Sequence, residues 1–216
     1  NNVEKYFGND DLWEKSEKAL REILKNSGAE YYEAEGEAAF YGPKIDVQVF
    51  SALGHEVTLS TVQLDYQLPE RFELEYTDEN DNKVRPVVIH RAILGSLDRF
   101  VAFLLEETKG NLPTWLCPVQ VHVMNIADVH LSYAKSVAEK LEKAGVRVFV
   151  DSRNESIGKK IREAQLAKIP YMLIVGDKEV EAGAVAVRKR GLGDQGAVKV
   201  EEFIKSITAE IANKSL

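Results

Sequence analysis

Residues 87–100 read VVIHRAILGSLDRF. An apolar, strand-like run of Val87, Val88 and Ile89 leads into His90, and Arg99 follows a Gly95-Ser96 step. From Ala92 onward the spacing turns helical: Ile93, Leu94, Leu97, Phe100, Val101, Leu104 and Leu105 fall at i, i+3, i+4 and i+7 positions. The pattern predicts His90 at a strand-to-helix junction and Arg99 within a largely buried helix. A histidine at such a place is either a hydrogen-bonded structural residue or part of a site. An arginine on such a helix snorkels, pairs with Asp98 or Glu106, or delivers a fixed guanidinium to a phosphate, which its planar fork suits.

Upstream, DDLWEKSEKALREILKNSG reads as a helix capped by Asn9 or Asp10, with Trp13, Leu20, Ile23 and Leu24 on one face and Gly28 as its stop. From Glu30 to Tyr76 the segments YYEAEGEAAF, KIDVQVF, HEVTLSTVQLDYQL and RFELEYTD read as strands, punctuated by Gly42-Pro43, Leu53-Gly54 and Leu68-Pro69. The polar run 78–83 is a hairpin tip whose return strand reaches His90. This half is therefore an antiparallel sheet with a helix before it and a helix after it. Residues 110–120, GNLPTWLCPVQ, hold two prolines and a glycine, so the spacing divides the chain into domains 1–112 and 113–216. Beyond the linker, strands VQVHVMNI, VRVFVD, YMLIVG and AVAVRKR alternate with helices over 127–143, 156–168 and about 200–213. That alternation predicts an α/β domain with a mainly parallel sheet.

With 44% hydrophobic and 29% charged residues and no apolar run near membrane-spanning length, the composition excludes a helical membrane protein. The single cysteine, Cys117, rules out an internal disulfide and a cysteine-rich zinc site, and fits a cytoplasmic protein. Charge is uneven: residues 1–112 carry 12 Lys/Arg against 22 Asp/Glu, residues 113–216 carry 16 against 13. A mildly basic second half beside an acidic first is compatible with a polyanionic partner for the second.

Four clusters carry candidate chemistry. Phe40-Tyr41-Gly42-Pro43-Lys44 holds Tyr41 and Lys44 rigidly at a sheet end, as a pocket lining or a surface turn. Thr61, Gln63 and Asp65 share one face of a strand while Val62 and Leu64 take the other, so the polar face meets either solvent or a ligand. His90, Ser96 and Arg99 form the third cluster; a lone histidine does not hold zinc, which needs three or four ligands. The fourth comprises Asp151-Ser152-Arg153-Asn154, Gly176-Asp177-Lys178-Glu179 and Val187-Arg188-Lys189-Arg190, expected on loops at one ligand-binding edge of the sheet. It is either a solvated charged rim or a surface that reads unstacked bases.

In order and spacing, GEAAFYGPKIDVQV, LSTVQLDYQLPERFELEY, RPVVIHRAILGSLDRF, PTWLCPVQV, VDSRNESIGKKIREAQLAKIPYMLIVGDKEV and VAVRKR resemble the threonyl-tRNA synthetases, class II aminoacyl-tRNA synthetases, over essentially the whole chain. HRAILGSLDRF has the form of that family's motif 3. The resemblance implies the motif 3 portion of a class II catalytic domain (an α+β antiparallel-sheet fragment) followed by an anticodon-binding domain. It implies that Arg99 is catalytic and binds ATP, with Thr61 and Lys44 near the nucleotide. Tyr41, Gln63 and Ser96 would contact or adjoin threonine, and His90 would be one ligand of a catalytic zinc that lets the site reject valine. Asn154, Glu179 and Arg188, with Arg153, would contact anticodon bases. The implied partners are threonine, ATP with Mg2+ and tRNA(Thr), in a homodimeric full-length enzyme.

The chain departs from the family pattern in two ways. Thr58 stands where many members have Gln. Two zinc ligands, motifs 1 and 2 and the editing modules belong upstream of residue 1, so the chain alone is expected to be inactive, with a partial zinc site. The competing expectation is a standalone, non-catalytic RNA-binding module derived from a synthetase.

Overall fold

In the computed structural model, which describes residues 10–215, helix α1 (Asp10–Ser27) opens with Asp10 and Asp11 set against its N-terminal dipole. Gly28, at φ +70°, ends it as expected; the alternative cap, Asn9, lies outside the described residues. Of the expected apolar face, Trp13, Leu20 and Leu24 are half-buried and Ile23 is exposed.

The strand expected over 31–40 does not form. That segment carries Glu33, Glu35, Gly36 and Glu37 and contributes only an isolated bridge between Ala39 and Gly42. Strands β1 (Lys44–Phe50) and β2 (Glu56–Asp65) pair antiparallel, with Lys44 opposite Gln63 and Asp46 opposite Thr61. Asp65 then ends β2 by accepting the Gln67 and Leu68 N–H groups at 2.8 and 3.0 Å, which starts the short helix α2 (Gln67–Arg71). That turn replaces most of the strand expected over 71–78; only β3 (Tyr76–Thr77) remains, paired with β4 (Lys83–Val84) across the expected polar tip. Strand β5 (Val88–Ala92) pairs with β2, Gln63 facing His90, to give the sheet order β1-β2-β5.

Two expectations for 87–100 need correcting. His90 lies within β5 rather than at a junction, and helix α3 (Leu97–Glu107) starts only after Ile93, Leu94 and Gly95. Ser96 caps α3, its Oγ accepting the Arg99 N–H at 3.4 Å. Nor is α3 buried: none of its residues is enclosed, and Leu97 is 72% exposed. Periodicity marks an apolar stripe but not whether anything covers it.

The chain divides into two compact units between Glu107 and Thr108. In the second, β6 (Val121–Asn125) leads through a 3-10 turn (Asp128–His130) into α4 (Leu131–Lys143). Then come β7 (Val148–Asp151), α5 (Ile157–Leu166), β8 (Tyr171–Val175), α6 (Asp177–Ala182), β9 (Ala184–Lys189), β10 (Gly193–Lys199) and α7 (Val200–Ala212). The sheet order is β10-β9-β8-β6-β7. β7, β6 and β8 run parallel, but β9 is antiparallel to β8 and β10 to β9, so the sheet is mixed rather than mainly parallel. The link between β8 and β9, residues 176–183, is too short for a parallel crossover, which takes about a dozen residues; it folds as the single short helix α6.

Helices α4 and α7 cover one face of this sheet, packing Ala134, Val137, Leu141, Phe203 and Ile207 onto Val121, Val123, Leu173 and Val185. Helix α5 covers part of the other, with Ala164 and Ile161 over Met124, Met172 and Ile174. Segment 112–117 is clasped to this unit by two arginines. Arg147 donates to the Trp115 and Cys117 carbonyls, and Arg190 to those of Leu112 and Lys168.

Candidate functional site

On the sheet of the first unit, one face of β1, β2 and β5 gathers the polar residues expected there. The Tyr41 hydroxyl donates to Gln63 Oε1 at 2.5 Å, leaving the Gln63 amide N–H groups for a ligand. Asp46 accepts from both Lys44 Nζ and Thr61 Oγ1. Beside them a cleft of about 290 Å³ is lined by Lys44, Asp46, Thr61, Gln63, Gly95 and Arg99 among others. Four of the residues named from the sequence (Lys44, Thr61, Gln63 and Arg99) thus meet in one concavity. Ser96 does not line it; its hydroxyl caps α3 instead.

Tyr41 is fixed by backbone contacts. The Gly42 N–H donates to the Ala39 carbonyl, the Leu64 N–H to Pro43 and the Tyr66 N–H to Tyr41. The turn lies so close to β2 that a Cβ on Gly42 would fall 1.9 Å from the Leu64 carbonyl oxygen. Only glycine fits there.

His90 Nε2 lies 2.7 Å from Asp65 Oδ2, and its ring stands 5.8 Å from that of Tyr41. Burial pushes the Asp65 carboxyl up, but hydrogen bonds from His90 and from the Leu68 and Gln67 amides outweigh it and hold it below the usual carboxylate range. A histidine backed by a carboxylate is the arrangement that orients a metal-ligating imidazole. Zinc needs three or four protein ligands, however, and no group of three His, Cys, Asp or Glu side chains converges among the described residues. The described residues do not hold the ion on their own.

In the second unit, the carboxyl ends of β7 and β8 carry most of the expected rim. Arg153 donates to Asp151 at 2.8 and 2.6 Å and pairs with Glu163 at 2.7 Å. The hydrogen bond from Arg153 holds the Asp151 carboxyl low against its burial. Asn154 is exposed next to this clasp. Glu179 Oε2 accepts the Gly176 N–H at 3.0 Å and so caps α6. His130 Nδ1 accepts the Ala127 N–H while its Nε2 lies 2.9 Å from Asp177 Oδ1, tying the loop after β6 to the start of α6.

Arg188 is not at that edge. Because β9 runs antiparallel, Arg188 pairs with Met172 near the amino end of β8, whereas Asn154 and Glu179 come after carboxyl ends. The expected single edge is therefore two places on the sheet. Arg188 reaches Asp194 at 3.4 Å and lines a separate cavity of about 240 Å³ with Gln165, Ile169, Met172, Arg190 and Gly191.

Sequence reading overlooked two acids, although period two would have found the first. Asp46 is on the same face as Lys44, two residues away, and Glu163 reaches Arg153 from α5.

Comparison with known proteins resolves what these two folds are. Residues 7–108 match the family model of the class II tRNA synthetase core domain (G, H, P, S and T), and residues 120–210 match the anticodon-binding domain model. That combination defines a class II aminoacyl-tRNA synthetase. The chain is 58% identical over 209 residues to threonine–tRNA ligase 1 of Bacillus subtilis, covering 96% of this chain and 32% of the relative. It is 55% identical over 212 residues to the threonine–tRNA ligase of Listeria monocytogenes serovar 1/2a, covering 98% of this chain and 33% of that protein. The crystal structure of the RNA-binding domain of threonyl-tRNA synthetase from Cryptosporidium parvum superposes with a TM-score of 0.88 at 39% identity, covering 95% of this chain and 52% of that one. The chain belongs to the threonyl-tRNA synthetase family, and it spans about a third of the length of the curated relatives it matches.

Proposed function

We propose that the chain works as part of a threonine–tRNA ligase, which joins the threonine carboxylate to the α-phosphate of ATP, releasing pyrophosphate, and then passes the threonyl group to the tRNA(Thr) 3′ end, releasing AMP. The observation that carries this reading is the convergence of Lys44, Thr61, Gln63 and Arg99 on one cleft. In it Arg99 is the catalytic residue: its guanidinium takes the terminal phosphate of ATP and offsets charge on the departing pyrophosphate. Lys44 and Thr61, held together by Asp46, flank the nucleotide. Gln63, its carbonyl occupied by Tyr41, offers its N–H groups to threonine. His90, oriented by Asp65, would supply one donor to a zinc whose remaining ligands the described residues do not provide. Mg2+ enters with ATP as substrate, and the complete enzyme is a homodimer.

Asn154, Glu179 and Arg188, with Arg153 behind Asn154, contact anticodon bases in this reading. Work in the cytoplasm belongs to it as well, since one free cysteine suits a reducing compartment. Arg99→Ala in the intact ligase tests the catalytic half: threonine-dependent ATP–pyrophosphate exchange is expected to fall roughly 100-fold or more. An unchanged rate would remove Arg99 from the role. For the RNA half, an anticodon hairpin is titrated into the chain, with Arg188→Ala expected to weaken binding about tenfold. Equal affinity for wild type and variant would refute the assignment.

A further inference from the structure

The side chain of Lys160 on α5 is 1% exposed, yet no carboxylate bonds to it. Its ammonium donates instead to the Asn125 carbonyl and Asn125 Oδ1, both at 3.2 Å, and to the Asp151 carbonyl at 3.0 Å. All three N–H groups are satisfied, and all by groups at the carboxyl ends of β6 and β7. Filling this space does not require a charge: an apolar side chain of similar size avoids the cost of stripping water from an ammonium. The charge sits where the pairing of β6 with β7 ends, at Met124 opposite Asp151, one residue before the pairing of β6 with β8 ends at Asn125.

The rim begins directly after those carbonyls. Beyond Asp151 come Ser152, Arg153 and Asn154, and Glu163, one turn after Lys160 on the same helix, holds Arg153 from outside. Helix α5 therefore grips this loop twice, from beneath through Lys160 and from the surface through Glu163. Asn125 also donates to the Ala127 carbonyl, so the same lysine anchors the loop after β6.

We propose that Lys160 is a positioning residue for RNA reading, fixing the Asp151–Asn154 loop against the end of β6 so that Asn154 meets a base in one geometry. This rests on the anticodon-binding reading above. The test uses the whole chain, an RNA hairpin bearing a threonine anticodon, and the same hairpin with each anticodon base replaced in turn. Lys160→Met is expected to lower the ratio of affinities for the cognate over the substituted hairpins roughly tenfold, while the dependence of binding on salt, set by phosphate contacts, stays the same. A role in stability alone would lower the melting temperature and leave that ratio intact, which overturns the proposal. If Lys160→Met does not fold, Lys160→Gln, which keeps a donor, is judged by the same ratio; failure of both to fold assigns Lys160 to stability and also overturns it. Wild-type chain that treats all hairpins alike overturns the anticodon reading and this proposal with it, whereas discrimination by wild type and variant alike overturns this proposal only.

Discussion

The Asp65 carboxylate accepts from His90 and from two backbone amides while only 2% of its side chain is exposed. It thereby ends a strand, starts a turn and orients an imidazole. Because its folded-state pKa is lowered, its contribution to stability is present above the ordinary carboxylate value and is lost as pH falls through the lowered one. Asp65→Asn is expected to destabilise the first unit by about 2 kcal/mol at pH 7, the worth of hydrogen bonds to a buried charge. The gap from wild type should close as pH drops below about 4. Urea titrations at several pH values measure it, and a gap independent of pH would contradict the assignment. The partner of His90 was within reach of sequence reasoning, since Asp65 shares the polar face of β2, but the reach of one side chain to another on a neighbouring strand was not. Arg153 makes the same point: its type suggests a base contact, but the sequence does not reveal that Asp151 and Glu163 hold its guanidinium in place.

Among the elements, the turn at Tyr41–Lys44 depends on the missing side chain of Gly42. Gly42→Ala drives a methyl into the Leu64 carbonyl and separates Tyr41 from Gln63. The expected cost is about 2–4 kcal/mol, read from thermal melts of the chain, and a variant as stable as wild type would show that the turn yields. Strands β1, β2, β6 and β8 were legible because each is a run rich in β-branched and aliphatic residues, whether one face is buried or, as in β8, both are. The segment over 31–40 was misread because it has aromatic content but no strand to pair with, and pairing is a tertiary fact. Helix α6 was missed because it is short, and with it the reversal of β9. Loop length decides that reversal, and residues 176–183 allow no crossover back to a parallel neighbour.

For the whole molecule, burial is lopsided. Apart from Pro43 and Pro69, the enclosed apolar side chains among the described residues lie at or beyond Cys117, while Phe50, Ile89, Ile93 and Leu97 in the first unit stand exposed. Few enclosed contacts mean low local stability. Limited proteolysis under native conditions is therefore expected to cut between residues 28 and 107 well before it cuts 120–212; the reverse order would contradict this. The 216-residue chain on its own is expected to show no threonine-dependent pyrophosphate exchange and no stoichiometric zinc by metal analysis, since among the described residues no further metal ligand joins His90 and its orienting acid. Activity or a bound equivalent of zinc would disprove that. The class of each domain was legible from sequence because its motifs lie in local runs, but the spacing of the site residues was not. That spacing has a consequence in the reversed strand β9. With Arg188 level with Met172 and Glu179 beyond Val175, strand β8 becomes a ruler: some 10–13 Å of backbone, at about 3.3 Å per residue, separates the two ends of the surface. An RNA touched by both, as in the anticodon reading proposed above, would lie along the strand rather than perch on one rim, and the length of β8 would set which bases are read together.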